Sequence, residues 1–336
     1  MKNCSLKDVA SACGVSVMTA SRAFRESSSI LPRTREKILE AAERMGYCYT
    51  QRRGRAVLEK SANLQQVQLI FGNASNRMYY FHMRLLTSLE QHLAQSGLEC
   101  LIRTCNGNYP IFVRLLDRAR SDLSIGTFIL GTFVQEQLET LLDVIPNAIL
   151  IDNRAKKTVT RKFTSLSFDN RNAANLAVEH LHERGRKRIL LICGPEDHFF
   201  TEELIQGYRD AHNALDLPVD EHLIRHTDFS ASGSASVMRQ VLAEGLRFDA
   251  VFTNDEMAAG VYRVLYENNI RIPDDVAVCG CDDLPIGAQL YPSLTTISLN
   301  YNDLASCAVQ TLLSMSRTPV FPEIRLPVAL RPGSST

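Results

Sequence analysis

Residues 6–23, LKDVASACGVSVMTASRA, decide the fold of the amino terminus. One helix face collects apolar side chains at helical spacing, those of Leu6, Val9, Ala10 and Cys13. Gly14 follows, where a helix ends at low cost in the left-handed conformation. Ser16 can cap a second helix, predicted from Val17 to about Arg25, and a third is predicted from Pro32 to Gly46. Two short helices across a glycine turn predict a helix-turn-helix, which reads DNA with its second helix.

The second helix presents side chains that suit a duplex groove. Arg22 can form a forked pair of hydrogen bonds with guanine, whereas Val17 and Met18 can only contact thymine methyl groups or exclude water. Short hydroxyl groups suit phosphate oxygens, and the predicted backbone contacts are Ser5, Ser16, Thr19, Ser21 and Thr34. The alternative is a plain helical bundle with a capped turn.

Charge separates this head from the rest of the chain. The 336 residues carry 37 basic and 37 acidic side chains, but residues 1–60 hold twelve Lys and Arg against six Asp and Glu. The head therefore has a net charge of +6 and the remainder −6. A basic head on an acidic body favours contact between the head and a polyanion.

Residues 66–297 alternate short β-rich runs with amphipathic helical runs, and the alternation restarts near Ser165. Strands alternating with helices predict parallel sheets, so the fold class is α/β, with a three-helix head and two parallel-sheet lobes around a cleft. Polar and aromatic residues that follow strands are the expected ligand contacts. They are Tyr79, Tyr80, Asp152, Arg154, Asp169, Asn254, Asp282 and Tyr301. For Asp169 and Asn254, capping of a helix is the competing interpretation.

Several classes of protein lack support in the sequence. No apolar run reaches the length of a membrane span and no secretory leader precedes the head, which predicts a cytoplasmic protein without membrane contact. The nine cysteines show no C-x-x-C pair, so neither a metal site nor a cofactor is predicted. We find no nucleotide-binding or hydrolase motif, and the chain is not expected to be an enzyme.

The head motifs resemble those of the lactose/galactose-repressor (LacI/GalR-type) family of bacterial transcription regulators. The similar segments of the head are LKDVA (6–10), GVS (14–16), MTASR (18–22), TREKI (34–38) and GY (46–47). Further ones follow in order: DN (169–170), GRKRI (185–189), GY (207–208), TND (253–255), IPDDV (272–276), GCDD (280–283), PSLTTI (292–297) and LRPGSST (330–336).

The resemblance implies a dimeric regulator, commonly a repressor, that binds a near-palindromic operator under the control of a small-molecule effector in the cleft. It implies a DNA-binding head at 1–48, a hinge at 49–64 and an effector-binding core at 65–336. Lobe 1 would comprise about 65–164 and 298–320, and lobe 2 about 165–297 and 321–332. The competing interpretation is a cytoplasmic solute sensor without an operator.

Three departures from the family pattern affect these expectations. The arginine that clamps sugars in many members is Leu204 here, and the aromatic residue before the paired aspartates is Cys281. Similarity to gluconate-type regulators instead favours a sugar or sugar acid, with Arg154 as a carboxylate partner, and a nucleoside stays an alternative. The hinge lacks the family's Pro and Asn. Its predicted minor-groove residues are Arg52, Arg53, Arg55 and Ala56, the last at the usual Leu position, and a flexible basic linker is the alternative.

Overall fold

The computed structural model describes residues 6–24, 30–45, 65–74, 78–121, 124–155, 159–315 and 321–336. The chain divides into two units, Met1–Asn63 and Leu64–Thr336. The described helices are α1 (Leu6–Cys13), α2 (Val17–Ala23), α3 (Pro32–Arg44), α4 (Tyr80–Gln95), α5 (Tyr109–Ser121), α6 (Gln135–Val144), α7 (Asn170–Glu183), α8 (Phe199–Ala214), α9 (Ala231–Ala243), α10 (Asp255–Glu267), α11 (Pro285–Gln289) and α12 (Tyr301–Met315). The described strands are β1 (Gln65–Asn73), β2 (Leu98–Cys105), β3 (Gly126–Thr132), β4 (Ala148–Ile151), β5 (Thr164–Phe168), β6 (Ile189–Cys193), β7 (Ile224–His226), β8 (Ala250–Phe252), β9 (Ala277–Cys281), β10 (Thr295–Leu299), β11 (Glu323–Leu326) and β12 (Val328–Arg331).

The first unit is a three-helix head whose turn follows from its sequence. Gly14 has a φ of 68°, and the amide of Val15 donates to the carbonyl of Ala10 at 3.0 Å, which closes α1 in a Schellman turn. Ser16 then caps α2, accepting from the amide of Thr19 at 3.0 Å. The predicted helix-turn-helix is therefore present, although α2 ends at Ala23, two residues before the predicted end.

Small side chains build the core of the head. Its buried members are Val9, Ala10, Cys13, Ala20, Ala23, Ile38, Ala41 and Ala42. Because most are small, the three helices can approach closely. The guanidinium of Arg35 donates to the carbonyl of Ala23 at 3.0 Å, which ties α3 to the carboxyl end of α2. This packing leaves the opposite side of α2 facing outward.

The second unit contains two six-stranded sheets, and the predicted fold class is confirmed. The first sheet has the order β11-β5-β4-β3-β1-β2, with every neighbouring pair parallel. The second has the order β12-β10-β9-β8-β6-β7 and is parallel except for β12, which runs antiparallel to β10. Central strands such as β3, β6 and β9 are almost wholly buried, as expected for parallel sheets covered by helices.

The chain passes between the two sheets at three places. It leaves the first sheet after β5, leaves the second after β10, and passes from β11 to β12 with Pro327 alone between them. The crossings predicted near residues 164 and 321 therefore lie a few residues too early. The reason is that β5 and β11 pair with each other and complete the first sheet before the chain crosses.

A backbone contact at Gly207 sets the spacing of two helices in the second sheet's lobe. A Cβ atom at this position would lie 2.1 Å from the carbonyl oxygen of Arg171, so α8 and α7 approach each other closely at this point. Glycine normally weakens a helix interior by about 1 kcal/mol relative to alanine. Here the close approach requires it.

Gly207→Ala should therefore destabilise the protein despite the better helix propensity of alanine. We expect a loss of about 1–3 kcal/mol in the free energy of unfolding, because a backbone carbonyl cannot move away as a side chain would. Urea unfolding measures the loss. Gly287→Ala is the matched control, since its added Cβ would meet Leu294 at an ordinary 3.4 Å. Equal stability of the two variants would contradict this account.

Candidate functional site

The outward side of α2 holds the three predicted base-contacting residues. Val17 and Met18 are 45% and 65% exposed, and Arg22 is exposed, whereas Ala20 and Ala23 on the other side are fully buried. The helix thus presents two apolar side chains and one guanidinium to solvent. Such exposure of apolar side chains is what a surface that docks into a groove requires.

The predicted phosphate contacts lie close to the same surface. Ser16 is exposed, with its Oγ 2.8 Å from Oγ1 of Thr19, while Thr19, Ser21 and Thr34 are half-buried. Ser5 lies outside the described residues, as do the four predicted hinge residues, Arg52, Arg53, Arg55 and Ala56. For these five positions the assignments stay predictions.

An open cavity lies between the two lobes of the second unit, with about 650 Å³ of empty space when the solvent at its mouth is included. Its walls come from segments that follow the carboxyl ends of parallel strands, including β3, β4, β8 and β9. The lining residues are Tyr79, Phe81, His82, Gly131, Thr132, Asp152, Asn170, His198, Phe200, Phe229, Asn254, Glu256, Asp282, Leu284 and Leu299. Four of the predicted ligand contacts are among them: Tyr79, Asp152, Asn254 and Asp282.

Asp282 and Asn254 form the buried polar wall of this cavity. Nδ2 of Asn254 donates to Oδ2 of Asp282 at 2.8 Å, and its own Oδ1 has no hydrogen-bond partner among the described residues. Asn254 precedes α10 but caps it with no side-chain hydrogen bond, so its amide is turned toward Asp282. Burial raises the pKa of Asp282 well above its usual range, and the nearby Asp255 raises it further.

Tyr301 supports this wall from behind. Its hydroxyl donates to the main-chain oxygen of Asp282 at 2.9 Å, and its ring lies under the guanidinium of Arg84 at 4.7 Å. Asp282 has a φ of 111°, a strained conformation for a residue with a side chain. Tyr301 is therefore a positioning residue in this structure and does not line the cavity.

Asp152 faces the cavity from the first lobe. Its Oδ1 is enclosed and has no hydrogen-bond partner among the described residues. Burial, and secondarily the negative charge of Glu203, raise the pKa of this carboxyl to about 7. Within the described part of the chain, this oxygen lacks the hydrogen-bond donor that a buried carboxylate normally has.

Aromatic rings and two imidazoles make up much of the remaining wall. The ring of Phe229 lies 5.7 Å from that of Tyr79 and 4.9 Å from that of His198, measured between centroids. Burial lowers the pKa values of His82 and His198 to about 4. Both imidazoles are consequently neutral near pH 7.

Three predicted ligand contacts lie elsewhere. Tyr80 is 57% exposed on α4, and Oδ1 of Asp169 accepts from the amide of Asn172 at 3.1 Å, which is the competing capping role. The guanidinium of Arg154 is exposed, pairs with Glu202 and does not line the cavity, and its role as a carboxylate partner stays a prediction. None of the three lines the cavity.

Sequence reasoning missed most of the aromatic wall. Phe81 and His82 come just after the predicted contacts Tyr79 and Tyr80, and His198 and Phe200 are likewise not among the predicted contacts. Asn170 belongs to the Asp169-Asn170 motif but is not among the predicted contacts. Asn170 lines the cavity, whereas its neighbour Asp169 does not. Nδ2 of Asn170 donates to Glu203 at 3.0 Å.

Asp255 joins the cavity wall to the fold. The side chain is fully buried, accepting from the amide of Leu284 and from the hydroxyl of Thr296, both at 2.6 Å. Burial raises its pKa from 3.8 to about 7 against the opposing effect of these two hydrogen bonds, with Asp283 adding to the rise and Arg331 opposing it. This carboxyl therefore keeps its proton in the folded chain over a range in which an exposed one is ionised.

Asp255→Asn should remove part of the pH dependence of stability. The unfolded carboxyl ionises near pH 3.8 and the folded one near pH 7, so the free energy of unfolding falls as the pH rises between them. The amide can contact the same two groups and does not titrate. From pH 5 to pH 7 the variant should gain about 2 kcal/mol relative to wild type. Urea unfolding at both pH values measures this gain. The exposed exchange Asp303→Asn is the control, and its free energy of unfolding should change with pH as that of the wild type does. If the free energy of unfolding of Asp255→Asn changes with pH in the same way, the raised pKa of Asp255 is refuted.

The described residues contain no cluster of side chains that could hold a metal ion. Within the same residues, no helix has both the length and the apolar character of a membrane span.

Two family models match the chain. Residues 5–48 match the bacterial regulatory proteins of the lacI family, and residues 178–336 match a periplasmic binding protein-like domain. Curated relatives include the ribose operon repressor of Escherichia coli K12, 26% identical over 98% of this chain and 99% of that protein. The regulator GalR of Salmonella typhimurium LT2 is 27% identical over 95% and 91% of the two chains.

Solved structures agree with this assignment. The transcriptional regulator CelR in complex with cellobiose is 25% identical, with a TM-score of 0.74 over 99% of this chain and all of that one. The lac repressor dimer bound to operator and an anti-inducer has the same fold, with 22% identity and a TM-score of 0.73 over 99% of each chain. The resemblance in the sequence motifs is thereby confirmed: this DNA-binding transcriptional regulator has the DNA-binding domain of the lacI family and a periplasmic binding protein-like domain, and its homologues are repressors of the LacI/GalR family, which are not enzymes.

Proposed function

We propose that this regulator represses transcription by binding a near-palindromic operator as a dimer, and that a small molecule in the cavity between the lobes controls this binding. The observation that carries the proposal is the exposed side of α2. Val17, Met18 and Arg22 face solvent on a helix whose other side is sealed by alanines. Side chains exposed in this way can contact the bases of a DNA groove, and they are not part of the core of the head.

Each of the three side chains has a separate role in this proposal. Arg22 donates two hydrogen bonds to O6 and N7 of a guanine, and Val17 and Met18 pack against thymine methyl groups. Ser5, Ser16, Thr19, Ser21 and Thr34 bind phosphate oxygens and fix the orientation of the head. The net charge of +6 on residues 1–60 supplies the attraction that depends on salt.

We assign residues 1–48 to the head, 49–64 to a hinge and 65–336 to the core. Within the hinge, Arg52, Arg53 and Arg55 are proposed to enter or flank the minor groove, with Ala56 at the centre. Their charges replace the leucine wedge that the family pattern places there. As a regulator that must reach bacterial DNA, the protein is proposed to act in the cytoplasm.

A second copy of the chain is the proposed partner. Helix α4 and the edge strand β2 pack together and expose Tyr80, Met83 and Ile102. Exposed apolar side chains at a sheet edge are typical of a surface that another protein covers. The solved structure of the lac repressor is a dimer on its operator, which supports the same state for this chain.

The proposed ligand contacts are Tyr79, Asp152, Asn254 and Asp282, with Tyr301 holding Asp282 in position. A ligand acts by binding one arrangement of the two lobes more tightly than another, and so changes operator affinity by the same coupling energy. The names of relatives mention ribose and cellobiose, which supports a small hydroxylated ligand. Nothing in the described cavity favours the sugar acid predicted from the sequence, because Arg154 pairs with Glu202.

Selection of bound sequences from random duplex DNA by the full-length protein tests the proposal. We expect one near-palindromic motif, and we expect at least one sugar, amino sugar or nucleoside to alter its binding. Failure to enrich any motif at low ionic strength would refute the proposed function.

Arg22→Ala should relax the choice of base at one position of each half-site. Removal of a forked pair of hydrogen bonds to guanine costs about 1–3 kcal/mol of discrimination, which is roughly 5-fold to 150-fold in relative affinity. Titration of the selected operator and its single-base variants measures the effect. Arg33→Ala removes an exposed charge from α3 and should leave the preference at that base unchanged. Equal discrimination by Arg22→Ala and wild type would exclude Arg22 as a reader.

Arg53→Ala should lower the dependence of operator binding on salt. Removing one phosphate-binding arginine from a head reduces the slope of log K against log salt by about one. Measurement of binding at several salt concentrations gives the slope. An unaltered slope would show that the hinge is a free linker.

A further inference from the structure

We propose that Arg84 is a positioning residue of the ligand site. From α4 in the first lobe it holds the turn Asp282–Asp283 of the second lobe, and it thereby couples the carboxyl group of Asp282 to the position of α4. This role rests on the proposed function in taking the cavity as the effector site. It follows from two adjacent residues with a left-handed backbone and from the side of the cleft that supplies their contacts.

The turn that carries Asp282 has an unfavourable backbone. Asp282 and Asp283 follow β9 and have φ angles of 111° and 50°, two positive values in succession at residues other than glycine. Residues with a side chain remain in this region only where contacts with their surroundings hold them there. The direction of the Asp282 side chain, which forms a wall of the cavity with Asn254, therefore depends on these contacts.

The two carbonyl oxygens of the turn are held from the first lobe. Nη1 of Arg84 donates to the carbonyl of Asp283 at 2.6 Å, and the hydroxyl of Tyr301 donates to that of Asp282 at 2.9 Å. The guanidinium of Arg84 also lies 4.7 Å from the centre of the Tyr301 ring, a favourable position for a cation. Arg84 thus supports both carbonyl groups, one directly and the other through Tyr301.

The carboxylate of Asp283 is held from the second lobe. Its oxygens accept from Nε of Arg331 on β12 at 2.9 Å and from the hydroxyl of Ser298 on β10 at 2.8 Å. The helices that carry the first-lobe contacts, α4 and α12, pack against each other, and α12 also packs against β5 of the first sheet. One lobe therefore binds the main chain of the turn and the other binds its side chain, so relative movement of the lobes acts on the turn.

Contact at Asp282 and displacement of α4 are consequently linked in both directions. A molecule that moves the Asp282 carboxyl changes the contact with Arg84, and displacement of α4 changes the direction of Asp282. The same helix exposes Tyr80 and Met83, which belong to the proposed contact with a second copy. Through Arg84 the state of the cavity therefore reaches the surface proposed for the dimer.

Hydrogen exchange of the full-length protein tests the positioning role. Arg84→Ala should accelerate exchange at least fivefold in peptides that cover the turn, because the amides of Asp282 and Leu284 form hydrogen bonds that depend on its conformation. Arg84→Lys keeps a cation and a donor, and it should accelerate exchange in the same peptides less than twofold. Exchange in β6, a buried strand of the same lobe, should not change in either variant.

Arg114→Ala is the matched control. This exposed arginine of the first lobe donates to the carbonyl of Pro110 in its own helix at 3.3 Å, so its removal should leave exchange in the turn unchanged. The positioning role is overturned if the turn exchanges alike in Arg84→Ala and wild type, or if Arg84→Lys accelerates exchange as much as Arg84→Ala. An equal acceleration in β6 would show general destabilisation and would overturn it too.

Operator binding tests the coupling. With the operator selected from random duplex DNA and no small molecule added, Arg84→Ala should change the affinity at least threefold, although Arg84 belongs to the core and not to the head. Arg114→Ala should bind as the wild type does. Equal affinities of Arg84→Ala and wild type would overturn the coupling. If the wild type binds no duplex, the proposed function has failed, and hydrogen exchange alone decides the role of Arg84.

Discussion

The three passages of the chain between the sheets are the constraint on which the cavity depends. The shortest is Pro327, the single residue between β11 in one sheet and β12 in the other. Proline fixes φ and has no amide hydrogen, so the direction of the chain at this step is restricted. The amide of Asp169, just after β5, also donates to the carbonyl of Leu326, the last residue of β11, at 2.9 Å. This hydrogen bond links the passage after β5 to the passage between β11 and β12. The carboxyl ends of both sheets are thereby held opposite each other, and segments distant in sequence meet there.

The same arrangement makes the empty cavity costly. Asp152, Asp255 and Asp282 are brought close by the strand ends, and burial raises the pKa of each. Asp255 is compensated by two hydrogen bonds from Leu284 and Thr296, whereas Asp152 has an enclosed oxygen without a donor among the described residues. The difference separates a carboxyl that supports the fold from one whose partner is absent. A ligand that supplies the missing donors lowers the free energy of one arrangement of the lobes, which is the condition for control of DNA binding.

A structural feature of this protein can be predicted from the sequence where the contacts that determine it are local. The sequence predicts a helix over Gln135–Val144 and strands over Ala148–Ile151 and Ile189–Cys193. The elements α6, β4 and β6 have these bounds, because their apolar periodicity and their ends are visible within a few residues. Helix α9 was not predicted, since its first residues, ASGSAS, have the composition of a loop. It forms because Ser230 caps it and Ser234 bonds to Met257 of α10 at 2.7 Å.

In the cavity, too, the features that depend on contacts between distant segments could not be predicted from the sequence. Aspartates and asparagines after strands could be identified, but not which of two neighbours faces inward: Asn170 reaches the cavity and Asp169 caps α7. The aromatic wall joins residues 81–82, 198–200 and 229, and no local pattern links these segments. Their meeting is a consequence of the strand order, which the periodicity of a single sequence does not contain.

The head and the cavity differ in how closely function is tied to the fold. On α2 the buried side is made of Ala20 and Ala23, while Val17, Met18 and Arg22 contribute little to the core. Exchanges on the exposed side therefore cost little stability, and the operator sequence can change without change of fold. In the cavity the same residues line the proposed ligand site and stabilise the fold. Asp282 occupies a strained backbone conformation, accepts from Asn254 and receives the hydroxyl of Tyr301 on its carbonyl. A new ligand specificity is consequently easier to obtain at the rim and the aromatic wall than at the Asn254–Asp282 pair, where each exchange would also remove the hydrogen bond between these two buried side chains.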